Sequence, residues 1–336
     1  MKILVTGGAG YIGSTICSAL EDFGHIPIIL DSLVQGRLEF TKNKIFYKGD
    51  IADNFLIKKI FQEHPDIYAT IHCAALILVP ESVEKPFEYY TENVVKSVEL
   101  FKLLASLNCK RVVFSSSASI YDVVPGFMVT ESSPIKPSSP YARTKYMMEM
   151  VLQDYCAAYN IQGISLRYFN PIGADPQMRT GQYANNPSHV LGKLLEVANG
   201  KLPEFNLTGT TWPTRDGSGI RDYIHVWDLA LAHVKAVENF SNAFTNMHEN
   251  SNYLCVNLGT GNGVTVKELL VAFENVIGKK LPIKETEPRP GDVAGAYANS
   301  NKAFELLGWK AAKSIEEAIQ DALKWQGNFI KNKMAN

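Results

Sequence analysis

The chain has 336 residues, of which 46% are hydrophobic and 20% charged, and its formal net charge is −1. That is room for one large or two fused soluble domains, and the balance excludes a basic surface for nucleic acid or anionic membrane. The five cysteines, Cys17, Cys73, Cys109, Cys156 and Cys255, are scattered without paired spacing. Neither a zinc site nor a disulfide framework is expected, but rather reduced, mostly buried thiols in a cytoplasmic protein. The apolar run Ala74 to Val79 is far too short to span a bilayer, no leader is expected before the opening strand, and no internal repeat is visible.

In chain order, an apolar strand, Ile3-Leu4-Val5, runs into the glycine-rich turn Thr6-Gly7-Gly8-Ala9-Gly10-Tyr11-Ile12-Gly13 and then a helix. A second strand, Pro27 to Leu30, stops at Asp31. This order is that of a dinucleotide site. Gly7 allows the tight turn, Gly10 lets the backbone approach a pyrophosphate, and Gly13 lets the helix pack close to the strand. The free N–H groups of the helix N-terminus attract the phosphates. Asp31 would take the adenosine ribose hydroxyls and repel a 2′-phosphate, which favours NAD over NADP.

The pattern continues with a strand at Ile45-Phe46-Tyr47, a helix over Asn54 to Glu63, a strand over Ile67 to His72 and a long helix over Glu88 to Leu107. A strand over Arg111 to Ser115, a helix over Tyr141 to Tyr159 and a strand over Gln162 to Arg167 follow. Such alternation predicts an α/β fold, a Rossmann-like, doubly wound parallel sheet with ligands beyond the carboxyl ends of its strands. After Arg167 the loops lengthen and Pro and Gly cluster. This predicts a smaller carboxyl-terminal substrate lobe over about 171–336, after an NAD-binding domain over 1–170. Residues of about 220–260 return to the first domain, with Tyr253 to Leu258 as a strand of the main sheet. Residues 241–252, rich in Asn and Ser, read as a solvated loop.

Tyr141 and Lys145 are four apart in a predicted helix and share a face, while Ser117 ends the Ser-rich strand Phe114-Ser115-Ser116-Ser117. A phenol with a pKa of about 10 is a poor base at neutral pH. An adjacent ammonium and a cationic nicotinamide would both favour its phenolate. Tyr141 could then take a hydroxyl proton while hydride leaves the same carbon, with Ser117 holding the oxygen. A Tyr–Lys pair at this spacing is by itself common on helix surfaces; the upstream dinucleotide turn is what gives it weight.

These residues carry a resemblance. The chain resembles the extended short-chain dehydrogenase/reductases over nearly its whole length, most closely their UDP-glucose 4-epimerase branch. The motifs are Thr6 to Gly13, Phe114 to Tyr121, Pro140-Tyr141 with Lys145, and Arg167 to Pro171. Glu81 to Pro86, Asp216 to Val226 and Arg289-Pro290-Gly291-Asp292 are more specific. The resemblance implies exchange of C4 configuration in UDP-hexoses through a transient 4-keto sugar, with bound NAD carrying the hydride. It makes Ser117, Tyr141 and Lys145 catalytic. It assigns Gly7, Gly10, Tyr11, Ile12, Gly13, Asp31, Asp50, Ile51, Cys73, Ala74, Ala75, Asn93, Tyr141, Lys145 and Tyr168 to the cofactor, with Asp50 and Ile51 at adenine. Ser117, Tyr141, Asn170, His189, Val190, Arg221, Arg289, Asp292 and Ala296 fall to the UDP-sugar, and no metal is implied. A homodimer through the two long helices is also implied.

Some positions depart from the family pattern. Ile77 stands where a lysine would help grip the cofactor, which predicts weaker NAD retention. Asp122 replaces a usual Gly, and His189 stands where some members have Asn. Ala296 replaces a bulky aromatic of the pocket wall, which predicts room for an N-acetyl group at C2 of the sugar. The rival readings are weaker. A nucleotide-sugar 4,6-dehydratase needs an acid pair where this chain has Ala118-Ser119-Ile120. A uronic-acid epimerase or decarboxylase needs a cationic pocket for a sugar carboxylate. A non-catalytic NAD-binding protein would have no use for Ser117, Tyr141 and Lys145 together.

Overall fold

The computed structural model describes residues 1–183, 187–246, 251–288 and 293–334. Alternating apolar strands and amphipathic helices build a seven-stranded sheet. Its strands are β1 (Lys2–Thr6), β2 (Ile26–Asp31), β3 (Ile45–Lys48), β4 (Ile67–His72), β5 (Arg111–Ser117), and, after the two-residue β6 (Met128–Val129), β7 (Gln162–Tyr168). The seventh, Tyr253–Leu258, pairs in parallel with β7, so the returning segment does join the main sheet. Passing β8 (Asn170–Ile172), β9 (Phe205–Thr208), β10 (Ile220–Arg221) and β11 (Tyr223–His225), that strand is β12. The spatial order is β12-β7-β5-β4-β1-β2-β3, all pairs parallel. Strand order reverses between β1 and β4, which is where such sheets place their ligand.

Both faces of the sheet are covered, as parallel sheets require. On one face α1 (Tyr11–Asp22) and a later helix, Val226–Glu238, bury Ile16, Leu20, Leu229 and Val237 against Ile3, Val5 and Ile71. On the other, α2 (Asn54–Glu63), the helix Lys96–Ser106 and the helix Pro140–Ala158 bury Ile57, Phe101, Leu104, Met148 and Leu152 against Leu4, Ile28 and Val112. A separate core of Leu194, Leu207, Leu269, Phe273 and Ile319 holds the carboxyl-terminal lobe together.

Two elements differ from the sequence reading. The long helix over Glu88 to Leu107 is interrupted. After α3 (Val79–Glu84), α4 (Pro86–Tyr90) passes into a π-helical turn, Thr91–Val95, before α5 (Lys96–Ser106). The turn is a local widening of the helix at the buried Asn93, a feature that apolar spacing does not report. The expected loop 241–252 begins as a short helix, Phe240–Thr245, which buries Phe240 and Ala243 despite its polar composition. No helix among the described residues is long and apolar enough to cross a membrane.

Candidate active site

The glycine turn sits at the carboxyl end of β1 against the loop after β4. Gly7 takes φ +71°, and a Cβ there would lie 2.7 Å from the Ala74 amide nitrogen. A Cβ on Gly13 would lie 2.2 Å from the Gly7 carbonyl oxygen, so only glycine lets α1 start this close to the strand. At Gly10 a Cβ would meet only the Gly7 oxygen at 3.3 Å and otherwise face open space. Gly10 caps α1 without a side-chain hydrogen bond. The first helical amide bond is Ser14 N–H to Gly10 C=O, at 2.9 Å, so the amides of Tyr11, Ile12 and Gly13 point out of the helix start. The cradle fits a pyrophosphate. Tyr11 also anchors the turn to the second lobe, its hydroxyl donating to Gly173 C=O at 2.7 Å.

Asp31 is buried at the end of β2 and is already engaged. Its carboxylate accepts from the amides of Ala9 (2.9 Å) and Leu33 (2.8 Å), which fixes it over the turn with lone pairs left for ribose. Asp50 accepts from the Ala52 amide and from Lys96 Nζ at 2.6 Å, beside the buried Ile51. Sequence reasoning had missed Lys96. Cys73 Sγ lies 3.1 Å from Ser115 Oγ, and burial pushes its thiol up to about 11, so it is neutral. Ala74 and Ala75 continue that loop. Ile77 is 60% exposed.

Asn93, which the resemblance assigns to the cofactor, has a specific set of partners. Its side-chain oxygen accepts from Leu76 N–H at 2.8 Å, and its amide nitrogen donates to Leu76 C=O at 2.9 Å and Thr144 Oγ1 at 3.1 Å. The Thr144 hydroxyl donates to Tyr141 C=O at 2.7 Å. The π-turn thus ties the loop after β4 to the first turn of α6 (Pro140–Ala158), which carries Tyr141 and Lys145.

Ser117, Tyr141 and Lys145 are all buried and converge at the end of β5. Ser117 Oγ lies 3.0 Å from Ser119 Oγ, and it accepts from the Ser119 amide. Burial raises the Tyr141 phenol above its usual 10, and the Ser117 hydroxyl beside it pulls it back down. Lys145 Nζ donates to Ser115 C=O at 2.8 Å and sits 5.9 Å from the centre of the Tyr141 ring. Burial brings its ammonium down to about 8. Tyr141 therefore lacks full activation from these side chains alone, and a bound cation would supply what is missing. Beneath them Ser115 Oγ meets His233 Nε2 at 3.2 Å, and Tyr168 lies in the same buried group.

The remaining expected substrate residues are more dispersed. Asn170 opens β8, and its amide donates to Asp222 C=O. Arg221 donates to the carbonyls of Ile220, Ala294 and Val293, so it holds the chain leading to Ala296. Ala296 packs with Phe169 and Tyr146 against Ile120, Tyr121 and Val129. His189 has a structural duty that the sequence had not revealed. It caps α7 (Val190–Ala198), its Nδ1 accepting from Gly192 N–H at 3.1 Å, and burial brings it down to about 4, so it is neutral. Val190 begins that helix. Arg289 and Asp292 lie outside the described residues. Among the described residues no cluster of His, Cys, Asp or Glu could hold a metal ion.

The same arrangement recurs in known proteins. The chain is 40% identical to a UDP-glucose 4-epimerase from Bacillus subtilis over 98% of both chains, and 39% identical to UDP-glucose 4-epimerase 2 from Arabidopsis thaliana over 97% of this chain and 95% of that one. The solved structure of a UDP-glucose 4-epimerase from Stenotrophomonas maltophila, with bound NAD and formylated UDP-arabinopyranose, superposes with a TM-score of 0.92, 36% identity and 99% coverage of both chains. A UDP-Glc/GlcNAc 4-epimerase from Campylobacter jejuni superposes at 0.81, with 31% identity over 97% of this chain and 99% of that one. The profile of the NAD dependent epimerase/dehydratase family matches residues 3–250, most of the chain and all seven main strands but the last. With the nucleotide cradle at the end of β1 and the Ser–Tyr–Lys group at the end of β5, the chain belongs to the NAD-dependent epimerase/dehydratase family.

Proposed function

We infer that this chain is a UDP-glucose 4-epimerase, interconverting UDP-galactose and UDP-glucose with NAD as its resident cofactor. The observation that carries this reading is the convergence of Ser117, Tyr141 and Lys145 beside the Gly7–Gly13 cradle, in a chain that matches UDP-glucose 4-epimerases end to end. Bound NAD supplies a hydride acceptor and donor beside the sugar. The chain's residues do the rest. The α1 amides hold the pyrophosphate, Asp31 the ribose, and Asp50 with Ile51 the adenine side. Tyr141 takes the proton of the C4 hydroxyl and returns it, and Ser117 holds that oxygen. Lys145 and the cofactor's charge favour the phenolate.

Epimerisation needs the sugar to present both faces, so the nucleotide must be gripped and the hexose left free to turn. Asn170, Arg221, Arg289 and Asp292 are the proposed nucleotide grip, the arginines because a planar guanidinium suits a diphosphate. His189 and Val190 would contribute through the start of α7. The second lobe closes this pocket. An assay of purified protein on UDP-galactose, with and without added NAD, tests the reading. Conversion to UDP-glucose is expected, and Tyr141→Phe should bind NAD but lose about 10²- to 10⁴-fold in turnover. Absence of conversion with NAD present would refute it.

The pocket wall supports a finer reading, acceptance of UDP-GlcNAc and UDP-GalNAc. Ala296 packs against the same small cluster as Phe169, the residue before Asn170, and a methyl group takes less room there than an aromatic ring would. Ala296→Tyr should abolish activity on the acetylated sugars and spare the plain ones; equal activity on both would sink the idea. A homodimer through α4–α5 and α6 is supported by the exposure of Phe87, Val95 and Met150 on those helices. Light scattering giving a monomer mass would exclude it. We also place the enzyme in the cytoplasm, where nucleotide sugars and reduced thiols coexist.

A further inference from the structure

We propose that the buried ion pair Glu149–Arg167 is a positioning pair for the reaction, setting the distance between the strand that carries Ser117 and the helix that carries Tyr141 and Lys145. The proposal rests on the epimerase reading above and extends it to residues that no motif assigned a role.

Glu149 lies four residues after Lys145, one turn further along the same face of α6. Arg167 is on β7, directly opposite Ser116 of β5 in the parallel register. The side chains of both are almost wholly buried, at 3% and 5% exposure. Arg167 grips Glu149 with a two-pronged fork, Nε to Oε1 at 2.9 Å and Nη2 to Oε2 at 2.6 Å. The Ser116 hydroxyl, next to Ser117, donates to Glu149 Oε1. The free arm of Arg167 donates to Tyr121 Oη at 2.8 Å and Glu131 C=O at 3.2 Å, and Tyr121 donates to Asn257 Oδ1 of β12 at 2.7 Å. One carboxylate thus ties together three elements, each of which carries residues of the site. These are β5 (Ser115, whose carbonyl holds Lys145, and Ser117), α6 (Tyr141 and Lys145) and β7, which runs on through Tyr168 to Asn170.

Stability alone is a poor reason for such a pair, because desolvating two charges can offset their attraction and a well-packed apolar pair often serves as well. Packing does not demand it either. A cavity of about 300 Å3 opens beside the pair, walled by Tyr146, Met150, Gln153, Tyr253 and Lys302. What an apolar pair cannot supply is direction: the fork and the Ser116 bond fix both the spacing and the rotation of α6 against the end of β5.

The test uses Glu149→Leu/Arg167→Met, which removes both charges at similar volume, and Ser116→Ala, which removes only the link to β5. Thermal unfolding of both should stay near wild type. With UDP-galactose, kcat of the double variant should fall by about a hundredfold with KM within about twofold, and Ser116→Ala should lose about tenfold. The acidic limb of the kcat–pH profile should move to higher pH, because a displaced Ser117 and Lys145 favour the Tyr141 phenolate less. A folded double variant with wild-type kcat would overturn the proposal, as would a loss of rate that leaves the pH profile unmoved or only tracks a loss of folded protein. Failure of the wild-type protein to convert UDP-galactose would instead overturn the epimerase reading, and this proposal with it.

Discussion

Asn93 offers a way to test whether the π-turn is built for the site. Its side chain is 3% exposed and makes three hydrogen bonds, to the N–H and C=O of Leu76 and to Thr144 Oγ1. At about 1 kcal/mol net each, Asn93→Ala should cost about 3 kcal/mol, or several degrees of melting temperature. Asn93→Asp is nearly isosteric and separates bonding from volume. One oxygen still accepts from Leu76 N–H. The other meets the Leu76 carbonyl oxygen, and Thr144 Oγ1, whose own proton goes to Tyr141 C=O, so it faces two acceptors. A buried carboxylate without a cationic partner costs about 3–5 kcal/mol, so Asp should be worse than Ala at neutral pH. The introduced acid can escape by protonating, which restores a donor. Its folded pKa is then raised above the unfolded value of about 3.9. In that window the folded state binds more protons, so stability falls as pH rises from about 4 through the folded pKa. Thermal melts of wild type, Asn93→Ala and Asn93→Asp at pH 5 and pH 7.5 decide the matter. The Asp variant should lose more between the two pH values than the Ala variant does. An Asp variant as stable as wild type at pH 7.5, or one with the same pH trend as the Ala variant, would refute the bonding scheme.

Three other expectations follow from the same geometry. Gly13→Ala drives a methyl group into the Gly7 carbonyl at 2.2 Å, a contact between backbone atoms that cannot swing away. The protein should lose about 1–3 kcal/mol of stability and its retained NAD, and a variant that keeps stoichiometric cofactor through gel filtration would contradict the close approach. Ile77→Lys should slow NAD loss on dialysis, and an unchanged rate would show that position 77 does not reach the cofactor. Burial lowers His72 to about 3 and His189 and His233 to about 4. Since the unfolded state protonates first, their contribution is complete above about pH 6.5 and is lost as pH falls toward 4, with each histidine adding up to about 1.4 kcal/mol per pH unit. Urea unfolding at pH 7, 6 and 5 should show that loss, and a stability flat over this range would contradict the neutral, buried assignment.

Much of this was legible in the sequence because it is written in local patterns. Apolar strands before Gly7 and Asp31, and the run Asn54–Glu63 that became α2 with both ends as expected, follow from period and capping alone. The proposed catalytic trio is readable for the same reason: Tyr141 and Lys145 share a helix face, and Ser117 ends a strand. What stayed hidden depends on partners far apart in the chain. The resemblance pointed to Asn93 but not to its bonds with Leu76 and Thr144, which belong to two other elements. His189 is an N-cap because Gly192 N–H needs an acceptor, whereas composition allowed it to be read as a pocket residue. Nothing in the local pattern singles out Glu149; it is β7 that brings Arg167, 18 residues on, to within 2.6 Å.

The state of Lys145 governs the pH range in which the site can work. Its ammonium is buried, held by Ser115 C=O, and brought down to about 8, while burial holds the Tyr141 phenol above its usual value. In the protein alone, then, Lys145 loses its proton more readily than Tyr141. A phenolate would be left without its cation, and these residues by themselves make no useful base. A positive charge beside the ring lowers the phenol's pKa, because it stabilises the phenolate, and it also lowers that of Lys145 by repulsion. The two titrations are coupled, and the kcat–pH profile reports the pair rather than either residue. Activity should rise with pH as the phenol ionises and fall again as Lys145 gives up its proton. Lys145→Met removes the second ionisation and raises the first. Its profile should therefore keep climbing where wild type turns down, at a lower rate throughout, with the rising limb displaced to higher pH. If Lys145→Met kept the descending limb, that limb would belong to another group, and Lys145 would serve as a tether to Ser115 rather than as the charge that activates Tyr141.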